Sequence, residues 1–246
     1  AATPRYCSQG ENSIAAGAAC SRQRHSSPPP GDKENPMKSV ITALLLALLS
    51  AGSQAVEIAG TPIDETARVF GKELSLNGAG VRTAMLIKVY VAALYLQQKS
   101  KDADEVIESR QSKRLLMVFK RNLKSNIVGA AFRDGIRNNA DEADLLILKP
   151  RMEQLERAVA RHGEVREGDR LAIDFAMDGS VDLVYNDKLE ESIPGPQFGP
   201  AMLKIWLGNV PVADDLKNAL LAGANYGPKA PKRKSAFDSI FDGFSP

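Results

Sequence analysis

The sequence predicts an α+β domain in which a large antiparallel sheet carries helices on one face. Three observations predict it. A long apolar segment, Leu74 to Leu96, is rich in the Val, Ile, Tyr and Leu that suit strands. Leu171, Ile173 and Phe175 alternate against Val181, Leu183 and Tyr185 across Asp178-Gly179, a turn pair that makes the two flanking strands antiparallel. Helical segments ended by glycine fall between the strands irregularly, so a sheet backed by helices is the economical layer arrangement.

The elements follow in chain order. Leu74 to Leu96, interrupted at Asn77-Gly78-Ala79-Gly80, is expected to give at least two strands. Asp102 is placed to cap a short helix running to Arg110. Arg114 to Lys120 then alternates around Leu115, Met117 and Phe119 as a strand. Ser125 is expected to cap a helix over Asn126 to Asn139, with Ile127, Ala130, Ala131 and Ile136 on its apolar face and Gly129 and Gly135 weakening it. Pro150 suits the first position of a helix that ends at His162, with Gly163 as its C-terminal stop. After the Asp178-Gly179 hairpin come two more helices, Pro200 to Leu207 stopped by Gly208 and Val212 to Ala222 stopped by Gly223.

Upstream of this domain, residues 37–55 have the order of an export signal. Lys38 is basic, Val40 to Leu49 is apolar, and Ser53-Gln54-Ala55 is a small-residue exit. The apolar run is far shorter than the roughly 20 residues of a spanning helix, so no transmembrane anchor is expected in the mature protein. Val56 stands where a lipoprotein carries cysteine. Residues 1–36, with Pro28-Pro29-Pro30, are expected to be a non-native or disordered N-terminal extension. The domain is expected over 56–224, and 225–246 forms a basic, Phe-rich tail. In that tail Gly227 to Lys234 precedes Phe237, Ile240, Phe241 and Phe244 at helical spacing. Fraying is the first expectation for it, with weak membrane or partner contact as the alternative.

Five of the 32 basic and three of the 30 acidic residues lie upstream of Val56, so the remainder carries 27 of each. That balance lacks the clustered positive charge of a nucleic-acid binder. Cys7 and Cys20 are also upstream, and His162 is the one histidine left downstream. A disulfide, a cysteine nucleophile, a histidine-rich metal site and a cofactor are therefore not expected. His162 reads as a residue of a helix's last turn, Trp206 as part of an apolar stripe with Met202 and Ile205, and Asp174 as a solvent-facing strand residue.

Candidate ligand-binding residues lie in Gly78 to Leu96. Read with period two, Val81, Met85, Ile87, Val89 and Val91 share one side, while Arg82, Lys88 and Tyr90 stand among Ala84, Leu86, Ala92 and Leu94 on the other. A turn or bulge between Arg82 and Lys88 breaks that register. If it holds, Arg82 and Tyr90 project from a small, apolar surface, the composition of a pocket for an apolar molecule with one anionic end. Arg82 donates a planar fork to the anion and Tyr90 adds a third hydrogen bond. The same pattern also allows Arg82 to pair with a surface acid while Tyr90 merely packs.

Two motifs resemble the chalcone isomerase-like family, and in particular its bacterial exported branch. One is Gly78-x-Gly80-x-Arg82 running into Lys88-Val89-Tyr90-Val91-Ala92-Ala93-Leu94-Tyr95. The other is Ile205-Trp206-Leu207-Gly208-Asn209-Val210-Pro211-Val212 before a helix. The resemblance implies an open-faced β-sandwich and a periplasmic location. In the family's enzymes the Arg matching Arg82 stabilises developing oxygen charge during ring closure, and in its fatty-acid-binding members that Arg and a Tyr hold a carboxylate. Tyr90 stands where the enzymes carry Thr, and Ser125 to Ile136 lacks the Tyr of their catalytic helix. The expectation is a noncatalytic binder of a fatty acid or similar apolar carboxylate. An intramolecular lyase or isomerase using Arg82, and a structural or partner-binding periplasmic protein, are the alternatives.

Overall fold

Two-residue reversals and apolar alternation account for most of the sheet. The computed structural model describes residues 55–222. Its strands are β1 (Ala55–Ile58), β2 (Thr61–Asp64), β3 (Thr66–Val69), β4 (Lys72–Ala84), β5 (Ile87–Leu96), β6 (Lys113–Phe119), β7 (Leu123–Lys124), β8 (Glu164–Val165), β9 (Arg170–Phe175), β10 (Val181–Tyr185) and β11 (Lys188–Ile193). Seven of them form one sheet in the order β11-β10-β9-β6-β5-β4-β3. Every neighbouring pair in it is antiparallel. The helices are α1 (Ala103–Glu108), α2 (Ser125–Arg137), α3 (Glu142–Ala160), α4 (Phe198–Leu207) and α5 (Asp214–Leu221).

The period-two pattern places Leu94, Leu96, Leu115, Met117, Ile173, Phe175 and Leu183 on the helix-covered face, where they share one core with Phe132, Leu155, Met202, Trp206 and Leu220. The opposite face holds a smaller cluster of Leu74, Val91, Ala93, Tyr95, Leu116 and Ala172, packed with Ile58 and Ile63 of the β1–β2 hairpin. This is the expected sheet with helices on one face, and among the described residues that hairpin forms the second layer.

Several boundaries differ from the sequence expectation for physical reasons. Asn77-Gly78-Ala79-Gly80 does not interrupt the chain: β4 runs through it with a bulge at Asn77. Buried Asn77 holds the bulge by donating to the carbonyls of Ser100 and Leu220, both at 2.9 Å, and accepting from the Ser100 amide at 3.0 Å. A side chain at Gly78 would lie 2.3 Å from the Leu220 carbonyl oxygen, and one at Gly80 would lie 2.6 Å from the Ala219 Cβ. The glycines thus let α5 rest directly on strand backbone. Helix α3 begins eight residues before Pro150, because Asp141 accepts from the Asp144 amide at 2.8 Å and Glu142 and Asp144 suit the helix N-terminus. Pro150 sits inside it, where Leu146 is exposed and its unclaimed carbonyl can meet water. Ser125 is the first residue of α2 rather than its cap, and its amide donates to the Gly163 carbonyl. Gly163, at φ +67°, provides the expected left-handed stop after α3.

Asp174 is not solvent-facing. It is 5% exposed on the open face and accepts two 2.6 Å bonds from the Arg114 guanidinium, one strand away in register. Burial raises the Asp174 carboxyl above its ordinary pKa and the Arg114 fork pulls it part of the way back, while the same bidentate bond raises the guanidinium's.

Three substitutions have expected outcomes. Gly78→Ala destabilises by about 1–3 kcal/mol through overpacking against α5. Gly129→Ala, which meets only ordinary contacts of 3.6 Å and longer, stabilises by up to about 1 kcal/mol; equal denaturation midpoints for the two variants would contradict this packing. Arg114→Met strands a buried carboxylate at a cost of about 3–5 kcal/mol. The deficit relative to wild type shrinks below the Asp174 pKa, and urea titrations across acidic pH measure it.

Candidate ligand-binding site

The site begins with the turn that joins β4 to β5. Met85 and Leu86 are the two loop residues, with φ of 47° and 69°, so Ala84 pairs with Ile87. Positive φ at both positions matches the twist of a tight hairpin but costs roughly 1–2 kcal/mol per non-glycine residue. A bulge between Arg82 and Thr83 shifts the ladder once more and sets Arg82 directly opposite Tyr90. The two side chains thereby share the helix-covered face. Val81 and Val91 pair on the other face, whereas Val89, expected with them, turns into the helix-side core. Lys88 is exposed.

Arg82 is 2% exposed and Tyr90 7%. The guanidinium Nη1 donates to the Thr83 carbonyl. Neither residue lies at the surface. Both line a cavity of about 380 Å³, a volume that includes space open to solvent at its mouth. Its enclosed part has room for little more than a water molecule. Met117 and Phe119 of β6, Val128, Ala131 and Phe132 of α2, and Ile205 and Trp206 of α4 supply most of the wall.

Trp206 contributes more than packing. Its indole Nε1–H donates to the Tyr90 hydroxyl at 3.1 Å, and its ring meets Phe132 edge-on at 6.0 Å. An indole nitrogen can only donate, so Tyr90 accepts here and keeps its own proton for another oxygen. Burial holds the Tyr90 phenol above its ordinary pKa, with Arg82 and the Trp206 bond pulling the other way. The site therefore sets a guanidinium beside a protonated phenol at one end of an apolar space.

What the α2 side lacks is equally informative. Val128, Ala131 and Phe132 are its contribution to the wall, and Asn126 is exposed and outside it. Among the described residues, no lining side chain is a carboxylate, a histidine or a lysine. His162 lies elsewhere, stacked on Tyr185 with ring centroids 3.9 Å apart. The sequence reading missed the Trp206–Tyr90 bond. Its only signal there was that Trp206 belongs to an apolar stripe, which indicates burial and not a partner.

A helix-backed antiparallel sheet thus encloses an apolar cavity with Arg82 and Tyr90 at one end. The chain belongs to the chalcone isomerase-like family, whose model matches residues 55–222. Among solved structures it is similar to a fatty-acid binding protein of Arabidopsis thaliana, with a TM-score of 0.57 at 11% identity, covering 68% of this chain and 96% of that one. At that identity the likeness concerns the fold. No curated protein matches the chain. Residues 1–36, the expected export signal up to residue 54 and the tail 225–246 lie outside the described residues. Among the described residues no helix is long and apolar enough to cross a membrane.

Trp206 is the single tryptophan of the chain, so its emission reports on this cavity. Tyr90→Phe removes the indole's acceptor and is expected to shift native emission to the blue, with a stability loss of about 1–3 kcal/mol for the buried N–H left unmet. Fluorescence spectra of native and urea-unfolded samples test this, since the unfolded spectra should coincide.

Proposed function

We propose that this protein is a noncatalytic binder of a fatty acid or similar apolar carboxylate, with Arg82 and Tyr90 at the head group. The observation that carries the reading is the cross-strand Arg82–Tyr90 pair at one end of a cavity otherwise walled by apolar side chains and Trp206. A carboxylate meets the guanidinium charge and accepts from the phenol, while the tail replaces water against Phe119, Phe132 and Ile205. Because the enclosed space is small, the tail enters by displacing wall side chains, and Phe132 and Met117 are the movable candidates. The fatty-acid binding of the Arabidopsis structure agrees with this reading.

The family's enzymes make an intramolecular lyase the rival reading. Arg82 supplies its electrostatic component. The apolar α2 wall offers nothing to move a proton, and this weighs for binding. With residues 37–55 read as an export signal, we place the binder in the bacterial periplasm, where membrane lipids are the nearest source of such carboxylates.

Arg82→Met keeps side-chain volume and removes the charge. It is expected to weaken fatty-acid binding by roughly tenfold to a hundredfold, the worth of a charge-assisted hydrogen bond. A fatty alcohol of the same length should bind both proteins alike. Calorimetric titration of both ligands decides the assignment: unchanged carboxylate affinity in the variant would refute it. Chalcone cyclisation above the uncatalysed rate would instead favour the lyase.

A further inference from the structure

The tip of the β4–β5 hairpin is the most exposed apolar feature of the described residues. Met85 is 51% exposed, Leu86 91% and Ile87 43%. Three other hairpins close with two-residue loops of the same left-handed kind: Ala59-Gly60, Phe70-Gly71 and Asn186-Asp187. Each of those holds a glycine, or an asparagine with an aspartate, the residues such turns favour. The Met85-Leu86 turn alone holds two large apolar residues and neither, so folding is not what this pair serves.

Along the chain the tip is flanked by cations, while Glu167 and Asp169 approach the far side of this collar, the Glu167 amide donating to the Asn122 side chain and the Phe119 amide to the Asp169 carbonyl. Lys88 pairs across from Thr83, and Lys120, whose amide donates to the Val89 carbonyl, is followed by Arg121 at the same end of the sheet. Segments 81–101 and 109–133 contain no Asp or Glu. Lys120 donates to the Thr61 hydroxyl, and none of these three cations forms an ion pair with a carboxylate among the described residues. Lys124, further along, is offset by Glu164, its partner in the β7–β8 register. An apolar wedge with a basic collar is complementary to a bilayer whose surface is anionic and whose interior is hydrocarbon.

We propose that this tip docks the protein on anionic lipid bilayers. Met85, Leu86 and Ile87 enter the boundary between headgroups and acyl chains, and Lys88, Lys120 and Arg121 meet the phosphates. The same two strand arms carry Arg82, Val89 and Tyr90 into the cavity wall within a few residues of the tip. Docking thus presents the cavity's strand wall to the membrane. The docking itself does not depend on what the cavity binds.

The test is co-sedimentation of the full chain with phosphatidylcholine vesicles, with and without phosphatidylglycerol, in the absence of fatty acid. Binding is expected on the anionic vesicles only and should fall as salt rises. Leu86→Asp is expected to weaken it by about tenfold or more, and the double variant Met85→Asn/Leu86→Gly to lose it while raising Tm by relieving the turn. Because the assay contains no fatty acid, a failed head-group assignment leaves this result standing. Retained vesicle binding by the Asn-Gly variant would overturn the proposal, as would wild-type protein that stays in the supernatant. A dimer that Leu86→Asp dissolves would also overturn it, making the tip a contact between copies of the chain.

Discussion

The site depends on the register of β4 against β5. In an uninterrupted strand Arg82 and Tyr90 would lie about 27 Å apart, at roughly 3.4 Å per residue. Folding the strand back at Met85-Leu86, and correcting the pairing at the Arg82/Thr83 bulge, places them directly opposite, with Cβ atoms about 5 Å apart. A slip of one residue would turn one of them to the opposite face. The two φ values above zero and the exposed tip are thus tied to the geometry that joins guanidinium to phenol. The Trp206 bond to Tyr90 then fixes the phenol from the helix layer, so α4 and the hairpin are positioned against each other through the site.

A second constraint acts at the other side of β4. Gly78 and Gly80 leave a notch in which α5 lies on backbone, and Asn77 closes it by binding the Leu220 carbonyl at the end of that helix. The chain between α4 and α5 carries Val212 into the cavity wall. The glycine motif beside Arg82 therefore contributes to the site at one remove: it sets how closely the last helix approaches, and so how tightly the cavity closes.

Much of this was legible in sequence where local chemistry and tertiary need coincide. Alternation and Asp178-Gly179 located β9 and β10 residue for residue, and Asp102 caps α1 as its chemistry suggests, accepting from the Glu105 amide. Where the two diverge, the reading failed. Asn77 to Gly80 looks like a break because its glycines serve a helix some 140 residues away in sequence. The Met85-Leu86 turn carries no turn residue at all. Pro150 resembles a helix start until Asp141 and two acids are seen to begin the helix earlier. Arg82 and Tyr90 could be placed on one face by parity, but their adjacency came from a reversal that the sequence does not signal. The Trp206 partner and the Arg114–Asp174 pair are long-range contacts, which periodicity cannot supply.

The strand order leaves β11 at one edge of the seven-stranded sheet. Side chains of and just beyond α3 occupy its outward carbonyls: Arg161 donates to the Glu190 oxygen at 2.9 Å, Gln154 to that of Ser192 at 3.3 Å and Arg151 to that of Pro194 at 2.8 Å. The opposite edge, β3, is four residues long. Among the described residues, an edge occupied by side chains at one side and so short a strand at the other are poor templates on which another chain can extend the sheet. A protein that displays apolar residues at a hairpin tip is thereby kept from polymerising edge to edge at the concentrations that accumulate on a surface.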